Sequence, residues 1–311
     1  MILVTGGTGF IGQTLIRHLV NMGYQVRILL RPSTQSPNLP LGVPVEAVVC
    51  GLKDERGLRA AMSGVDVVFH LASAERAGSQ ADLQGVDIEG SRLLSQTAGD
   101  AGVSRLMYLS HLGADRASAY PVLKAKGIAE RFIIQSGMHY TILRSAVVFG
   151  PDDHFTNDLA RLLRMSPGVF MLPGEGATFL QPIWVEDLVT GLILAMEEPN
   201  CADQVYSVGG PEFLTFREIA EMVAGAAQIR RIFVPVSPAY LRVLAVWFEN
   251  SPRGFPMGTF WQDYLAADRT ADLETLPRLF GLMPERMSKR LDHLRPQGMA
   301  GPTGENLPTA G

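Results

Sequence analysis

Short apolar runs alternate with amphipathic stretches through the first half of the chain. Runs of period two, or unbroken, predict strands near 1–5, 24–30, 45–50, 65–71, 105–110 and 139–144. Apolar positions at helical spacing predict helices near 10–22, 54–63, 81–101 and 120–136. Val65-Asp-Val-Val-Phe-His-Leu71 is apolar along almost its whole length, as a parallel strand covered on both faces must be. Strands joined by right-handed helical crossovers give an α/β fold, a doubly wound parallel sheet of Rossmann type.

After Gly150-Pro151 the rhythm shortens. Strands are expected at Val169–Leu172, Phe179–Val185, Gln204–Val208 and Arg231–Val234. Helices are expected near 186–197, 215–227, 237–248, 272–279 and 284–294. The pattern divides the chain into a core over 1–150 and a smaller α/β lobe over 151–295, parts of which return to the core. The lobe should lie over the carboxyl ends of the strands, where ligands of open α/β sheets bind. Residues 296–311, rich in proline and glycine, read as a disordered tail.

The first strand runs into Thr5-Gly-Gly-Thr-Gly-Phe-Ile-Gly12, and a helical pattern follows at once. Strand, glycine turn and helix are the context in which three spaced glycines indicate a dinucleotide site. Gly6 permits the tight turn, Gly9 lets backbone approach a pyrophosphate, and Gly12 lets the helix pack against the sheet. The N–H groups of the first helical turn would face the phosphates.

Composition narrows the alternatives. The 311 residues are 47% hydrophobic and 19% charged, with a net charge of −4. That is ordinary for a folded domain and offers no basic footprint for nucleic acid. No run of about 20 apolar residues is present to span a bilayer. Cys50 and Cys201 form no disulfide framework, and the six histidines lack the spacing of metal ligands. A core strand at the N-terminus leaves no room for a signal peptide, so a cytoplasmic setting is expected.

Four further segments follow the glycine loop in one order: His70-Leu-Ala-Ser73, Tyr108-Leu-Ser110, Lys126-x-x-x-Glu130 and Leu143-Arg-Ser-Ala-Val-Val-Phe-Gly-Pro151. Together they resemble the extended and atypical short-chain dehydrogenase/reductases, including epimerases and dehydratases. Gln181-Pro-Ile-Trp-Val-Glu-Asp-Leu188, Gly209-Gly-Pro-Glu-Phe-Leu-Thr215 and the segment after Leu279-Phe-Gly-Leu-Met-Pro284 are similar to one atypical subgroup. It holds the nucleotide-binding accessory subunit of respiratory complex I and lies close to NmrA-like proteins. The resemblance implies a bound dinucleotide contacted by Gly6, Thr8, Gly9, Phe10, Ile11, Gly12, Leu52, Leu71, Ala72, Ser73, Ser110, Ser145 and Val148.

The second strand ends Leu29-Leu30-Arg31, with no acid to accept a ribose 2′-hydroxyl. Arg31 offers a guanidinium to a 2′-phosphate, so NADP(H) is favoured and NAD(H) is the alternative. Arg27 is a lesser candidate for the phosphate, since alternation turns it into the sheet face or the edge. Gly51 stands where extended members carry an adenine-binding Asp, and Asp54 reads as the cap of the next helix. His70, inside an apolar strand, reads as a buried structural residue.

Family chemistry uses a Ser, a Tyr and a Lys four residues after the Tyr. On a helical wheel Val122, Ala125, Ala129, Phe132 and Ile133 form one stripe with Lys126 beside it, while Lys124 lies away from it. Lys126 is therefore assigned as the family lysine and Val122 as the residue in the tyrosine position. Pro121 fits the first helical position and leaves Tyr120 at the cap. His111 takes the catalytic serine position and Ser110 its neighbour's. With two relay residues replaced, the chain is expected to bind NADP(H) with weak or non-standard redox activity, as a cofactor-binding subunit or sensor. The alternative is an active oxidoreductase or epimerase using His111, Tyr120 and Lys126 in a modified relay. The loop Asp152-Asp-His154 reads as a polar turn with a helix cap, and Asp187 as a structural cap. The apolar segment 237–261 should pack inward over the cleft; the alternative is a surface for a protein partner or a hydrophobic molecule.

Overall fold

A computed structural model describes residues 1–34, 36–249 and 258–296. Its centre is a seven-stranded, wholly parallel sheet. The first six strands come from the first half: β1 (Ile2–Thr5), β2 (Val26–Leu30), β3 (Glu46–Val49), β4 (Val67–His70), β5 (Arg105–His111) and β6 (Tyr140–Ser145). The crossovers are α1 (Phe10–Asn21), α2 (Glu55–Ala61), α3 (Ser91–Asp100) and α4 (Pro121–Gln135). The second half contributes the short β7 (Val148–Phe149), β8 (Val169–Pro173), β9 (Phe179–Leu180), β10 (Ile183–Trp184), β11 (Gln204–Val208), β12 (Leu214–Thr215) and β13 (Ile232–Val236). Its helices are α5 (Thr156–Met165), α6 (Val185–Glu197), α7 (Phe216–Ala226), α8 (Pro238–Glu249), α9 (Thr259–Tyr264) and α10 (Thr275–Phe280).

The strand order β11-β6-β5-β4-β1-β2-β3 reverses direction between β1 and β4. That reversal opens the crevice in which ligands of doubly wound sheets bind. On one face, α1 and α6 bury Leu15, Ile16, Leu19, Leu188 and Leu192 against Val4, Ile28 and Phe69. On the other face Leu58, Leu94, Ala98, Ala129 and Ile133 cover Leu3, Val68 and Leu106. β11 and α6 return from the second half to this core, while a separate cluster around Phe149, Phe155, Phe216, Ile219 and Tyr264 holds the rest. Glu285 N donates to buried Asp187 Oδ2 at 2.7 Å and ties the C-terminal stretch to α6.

Several expected elements differ. The helix expected over 81–101 opens as a π-helical stretch, Leu83–Gly90, before α3. The strand expected over 179–185 breaks into β9 and β10, because Gln181 turns inward to bond Gly210 O and Ala271 N. The helix expected over 284–294 is two 3-10 turns, Met287–Lys289 and Asp292–Leu294. Met287, Leu291 and Leu294 are buried there, so their apolar spacing serves packing without a continuous helix. The helix α5 was absent from the expectation. The proposed tail lies outside the described residues except for Pro296, as does the stretch 250–257 of the apolar segment.

Candidate cofactor and substrate site

The glycine loop sits at the crevice. Gly6 has φ +73°, and a Cβ there would come within 2.7 Å of Leu71 C and Ala72 N. The loop is thereby pressed against the end of β4. A Cβ on Gly12 would run into Gly6 O, which explains why α1 can start so close to β1. Gly9 differs: its Cβ would meet only Gly6 O, at 3.3 Å, and its other side is open. The helical ladder begins with Gln13 N donating to Gly9 O, so the N–H groups of Phe10, Ile11 and Gly12 stand before it. Thr8 is exposed, Phe10 is buried under Gly150, and Ile11 is half-buried. An open glycine cradle at the positive end of a helix suits a diphosphate.

Arg31 follows β2 beside this loop and is exposed, with no partner among the described residues. Arg27 points into the fold instead, donating to Ala61 O and Ser63 O and pairing with Glu46 at 2.9 Å. Asp54 caps α2 by accepting from Gly57 N. Leu52 is half-buried and lies beside Gly90. His70 is fully buried, with Nδ1 2.7 Å from Thr5 Oγ1 and Nε2 2.9 Å from Ser91 Oγ. Burial, reinforced by the Lys126 charge, pushes its pKa down to about 3. It is therefore a neutral structural clamp between β1, β4 and α3.

Below the crevice a polar chain runs between two of the expected site residues. Lys126 is 3% exposed; its Nζ lies 3.4 Å from Asp87 Oδ1 and 5.3 Å from the centre of the Tyr108 ring. Burial opposes its charge, yet Tyr108, Asp87 and Glu75 together hold its pKa above the usual lysine value. Tyr108 is un-ionised at neutral pH, since burial raises its own pKa to about 12, so the two carboxylates carry that effect there. Asp87 Oδ1 accepts from Ser73 Oγ at 2.7 Å, and its Oδ2 from Ala74 N at 2.9 Å. Ser73 Oγ is also 3.2 Å from Glu75 Oε2, and Glu75 Oε2 is 2.7 Å from His111 Nε2. His111 Nδ1 is buried without a hydrogen-bond partner.

α4 starts at Pro121 with Tyr120 at its cap, φ −92° and ψ 121°, as expected. The Tyr120 side chain makes no hydrogen bond to any described residue, His111 and Lys126 included. Lys126 lies on the buried face and Lys124 is exposed. The stripe itself needs correction: Leu123, not Val122, is fully buried on this helix, alongside Ala125, Ala129 and Ile133, and Phe132 is only partly covered. Glu130 pairs with Arg144 of β6 at 2.5 Å and locks the helix to the sheet. Ser110 Oγ is buried without a partner. Ser145 Oγ donates to Ala146 O, and Val148 lies half-buried in β7. Asp153 accepts from Gly150 N, Phe155 N and Thr156 N, so the polar loop is a structural cap.

The second half reaches the end of β5. His111 lies 5.9 Å, centre to centre, from Phe260 and 6.2 Å from Tyr264. α9 packs against the 3-10 turn Glu75–Gln80. In the apolar segment Ala245 is buried and Phe260 and Trp261 pack partly buried against the second-half cluster, while Tyr240 and Val243 are exposed. Part of it packs inward as expected.

The structure brings the expected His111, Lys126 and Ser73 together with Asp87, Glu75, Tyr264 and Arg269, which the sequence reading did not single out. An acid inside the apolar Val86-Asp87-Ile88 was the available signal for Asp87. Glu75 and the two lobe residues sit in segments without periodicity, and only the packing of α9 against the strand ends brings them together. Among the described residues no group of His, Cys, Asp and Glu is arranged to hold a metal.

These features, an open glycine cradle at the switch point of a parallel sheet and a buried lysine one helix away, define an NAD(P)-binding protein. A family model for NAD(P)H-binding domains matches residues 6–158. Over this region the chain is similar to the atypical short-chain dehydrogenase/reductase-like proteins. It is 30% identical over 226 residues to the mitochondrial NADH dehydrogenase [ubiquinone] 1 alpha subcomplex subunit 9 of Arabidopsis thaliana; the match covers 71% of this chain and only 56% of that protein. It is 28% identical to the 2-alkyl-3-oxoalkanoate reductase of Stenotrophomonas maltophilia, over 91% of this chain and 94% of that one. Among solved structures, an NADPH-dependent quinone oxidoreductase of Escherichia coli complexed with NADPH shares the fold. Its TM-score is 0.76 at 20% identity, over 94% of this chain and 99% of that one. No described helix is long and apolar enough to cross a membrane.

Proposed function

We propose that the chain binds NADP(H) along the Gly6–Gly12 loop and that His111 is the proton donor of its redox site, in place of the serine and tyrosine of the usual relay. The observation that carries this is the His111 ring itself. Glu75 holds Nε2 at 2.7 Å, which leaves Nδ1 buried and unsatisfied at the end of β5. An imidazole oriented by a carboxylate on one nitrogen, with the other uncommitted, is arranged for proton transfer.

Arg31 supports the choice of NADP(H), because it is exposed, has no partner among the described residues and follows the strand beside the glycine loop. The reduced dinucleotide would supply a hydride to a carbonyl carbon. His111 gives the Nδ1 proton to the carbonyl oxygen, which completes the alcohol and leaves the ring neutral with its Nε2–H on Glu75. The Glu75–Ser73–Asp87–Lys126 chain keeps that ring and the lysine in fixed relation. Lys126 would face the nicotinamide ribose. Turnover of ordinary carbonyl compounds is slow on this reading, because Val122 stands where a tyrosine would and Tyr120 reaches neither His111 nor Lys126. Loss of one general acid costs about 10²–10⁴-fold. A setting in the cytoplasm goes with this reading.

A second reading is a cofactor-binding subunit without turnover, favoured by the similarity to a respiratory-complex subunit. The experiment is NADPH and NADH titration by fluorescence, then NADPH oxidation with a panel of carbonyl compounds and quinones. NADPH binds more tightly than NADH, and His111→Gln retains that affinity while losing most of the oxidation. Turnover that survives His111→Gln but not Tyr120→Phe overturns the assignment. Tight NADPH binding without any oxidation leaves the second reading.

A further inference from the structure

Arg269 is a buried cation that no salt bridge reaches among the described residues. It is 8% exposed, and its Nε and Nη2 have no hydrogen-bond partner. Its Cζ lies 5.6 Å from the centre of the Tyr264 ring, which offers a π face but satisfies none of the N–H groups. A buried charge left unpaired in this way is costly and asks for a partner that the folded chain does not supply.

The position of the guanidinium says where that partner would sit. The Arg269 backbone is fixed beside β9 by its N–H on Phe179 O at 2.8 Å, and neighbouring Asp268 accepts from Phe179 N. The side chain extends to Gly113, two residues beyond His111; a Cβ on Gly113 would collide with Nη1. Tyr264, 2% exposed, lies between Arg269 and His111, and its hydroxyl is also unsatisfied. Burial raises the Tyr264 pKa, so the hydroxyl stays protonated and able to donate. Three side chains with unsatisfied buried polar atoms, His111, Tyr264 and Arg269, are thus grouped around the Tyr264 ring, His111 6.2 Å and Arg269 Cζ 5.6 Å from its centre.

We infer that this place takes a substrate bearing a carboxylate, held by Arg269 and Tyr264, with its carbonyl oxygen toward His111. Nε–H and one Nη2–H lie parallel along one edge of a guanidinium, at the spacing of the two oxygens of a carboxylate. Both atoms are the unsatisfied ones here. The compound class is an oxo-carboxylic acid. The inference rests on the His111 reading for the orientation of the carbonyl, and on Arg269 alone for the anion.

The test is calorimetric titration of the full chain, with and without saturating NADPH, using acetoacetate, 4-oxopentanoate, methyl acetoacetate and inorganic phosphate. At least one of the two acids binds about 10–100-fold more tightly than the ester, the span of a charge-assisted hydrogen bond. Arg269→Met removes that difference, keeps NADPH affinity and melts no lower than the parent, since an unpaired buried charge is gone. Arg269→Lys restores only part of it, because an ammonium lacks the fork. Equal binding of acids and ester by the unaltered protein overturns the inference, as does full discrimination in Arg269→Met. Phosphate binding more tightly than both acids overturns the carboxylate assignment. Acid binding through Arg269 without NADPH binding would remove the cofactor reading and leave this one, and the reverse result would do the opposite.

Discussion

His70 gives the most direct quantitative prediction. Its ring is fully buried between Thr5 Oγ1 and Ser91 Oγ, and burial together with Lys126 lowers its pKa from 6.5 to about 3. The folded protein therefore keeps this histidine neutral across the range in which the unfolded chain takes up a proton. The unfolded state binds more protons between those two values, so stability rises with pH there. The His70 contribution is fully present above pH 6.5 and is lost as the pH falls toward 3. Each unit of displacement is worth about 1.4 kcal/mol, which makes the loss from this group roughly 2 kcal/mol on going from pH 7 to pH 5. His70→Gln keeps hydrogen-bonding capacity without a titrating ring. At pH 7 it should cost about 1–2 kcal/mol from imperfect geometry. Between pH 7 and pH 5 it should lose about 2 kcal/mol less than the parent. Urea denaturation of both proteins at the two pH values measures the difference, and changes common to both, such as titration of half-buried His293, cancel. Equal losses in the two proteins would refute the reading of His70 as a buried neutral clamp. A larger loss in the variant would show that some other group carries the acid sensitivity.

Two further outcomes follow from the cofactor cradle, beside those tied to His111 and Arg269. Gly12→Val places a branched side chain against Gly6 O and should destabilise by about 1–3 kcal/mol while abolishing NADPH binding; a variant that melts like the parent and binds NADPH normally contradicts the packing described. Arg31→Glu should weaken NADPH about tenfold or more and spare NADH, as a lost charge-assisted contact predicts; equal weakening of both nucleotides in parallel titrations would remove Arg31 from the 2′-phosphate.

The legible parts of this protein were those written in local pattern. Apolar strands buried on both faces, the glycine turn after β1 and proline at the start of α4 each depend on a few neighbouring residues. They located the sheet, the dinucleotide loop and the alignment that singles out Lys126 over Lys124. The same local logic misread Met287, Leu291 and Leu294, whose helical spacing reflects packing across a lobe, not one helix. It also set Val122 on a buried face that belongs to Leu123.

The sequence by itself determined the fold class and the cofactor loop, because these rest on residue type at fixed short spacing. Tertiary structure alone decided what surrounds His111. Glu75 lies 36 residues before it, and Tyr264 and Arg269 more than 150 after it. Contacts at such separation are set by how the second lobe docks on the strand ends, which no local propensity encodes. That docking leaves His111 Nδ1 without a hydrogen bond and Arg269 without an ion pair among the described residues, and those two groups define the chemistry now open to test.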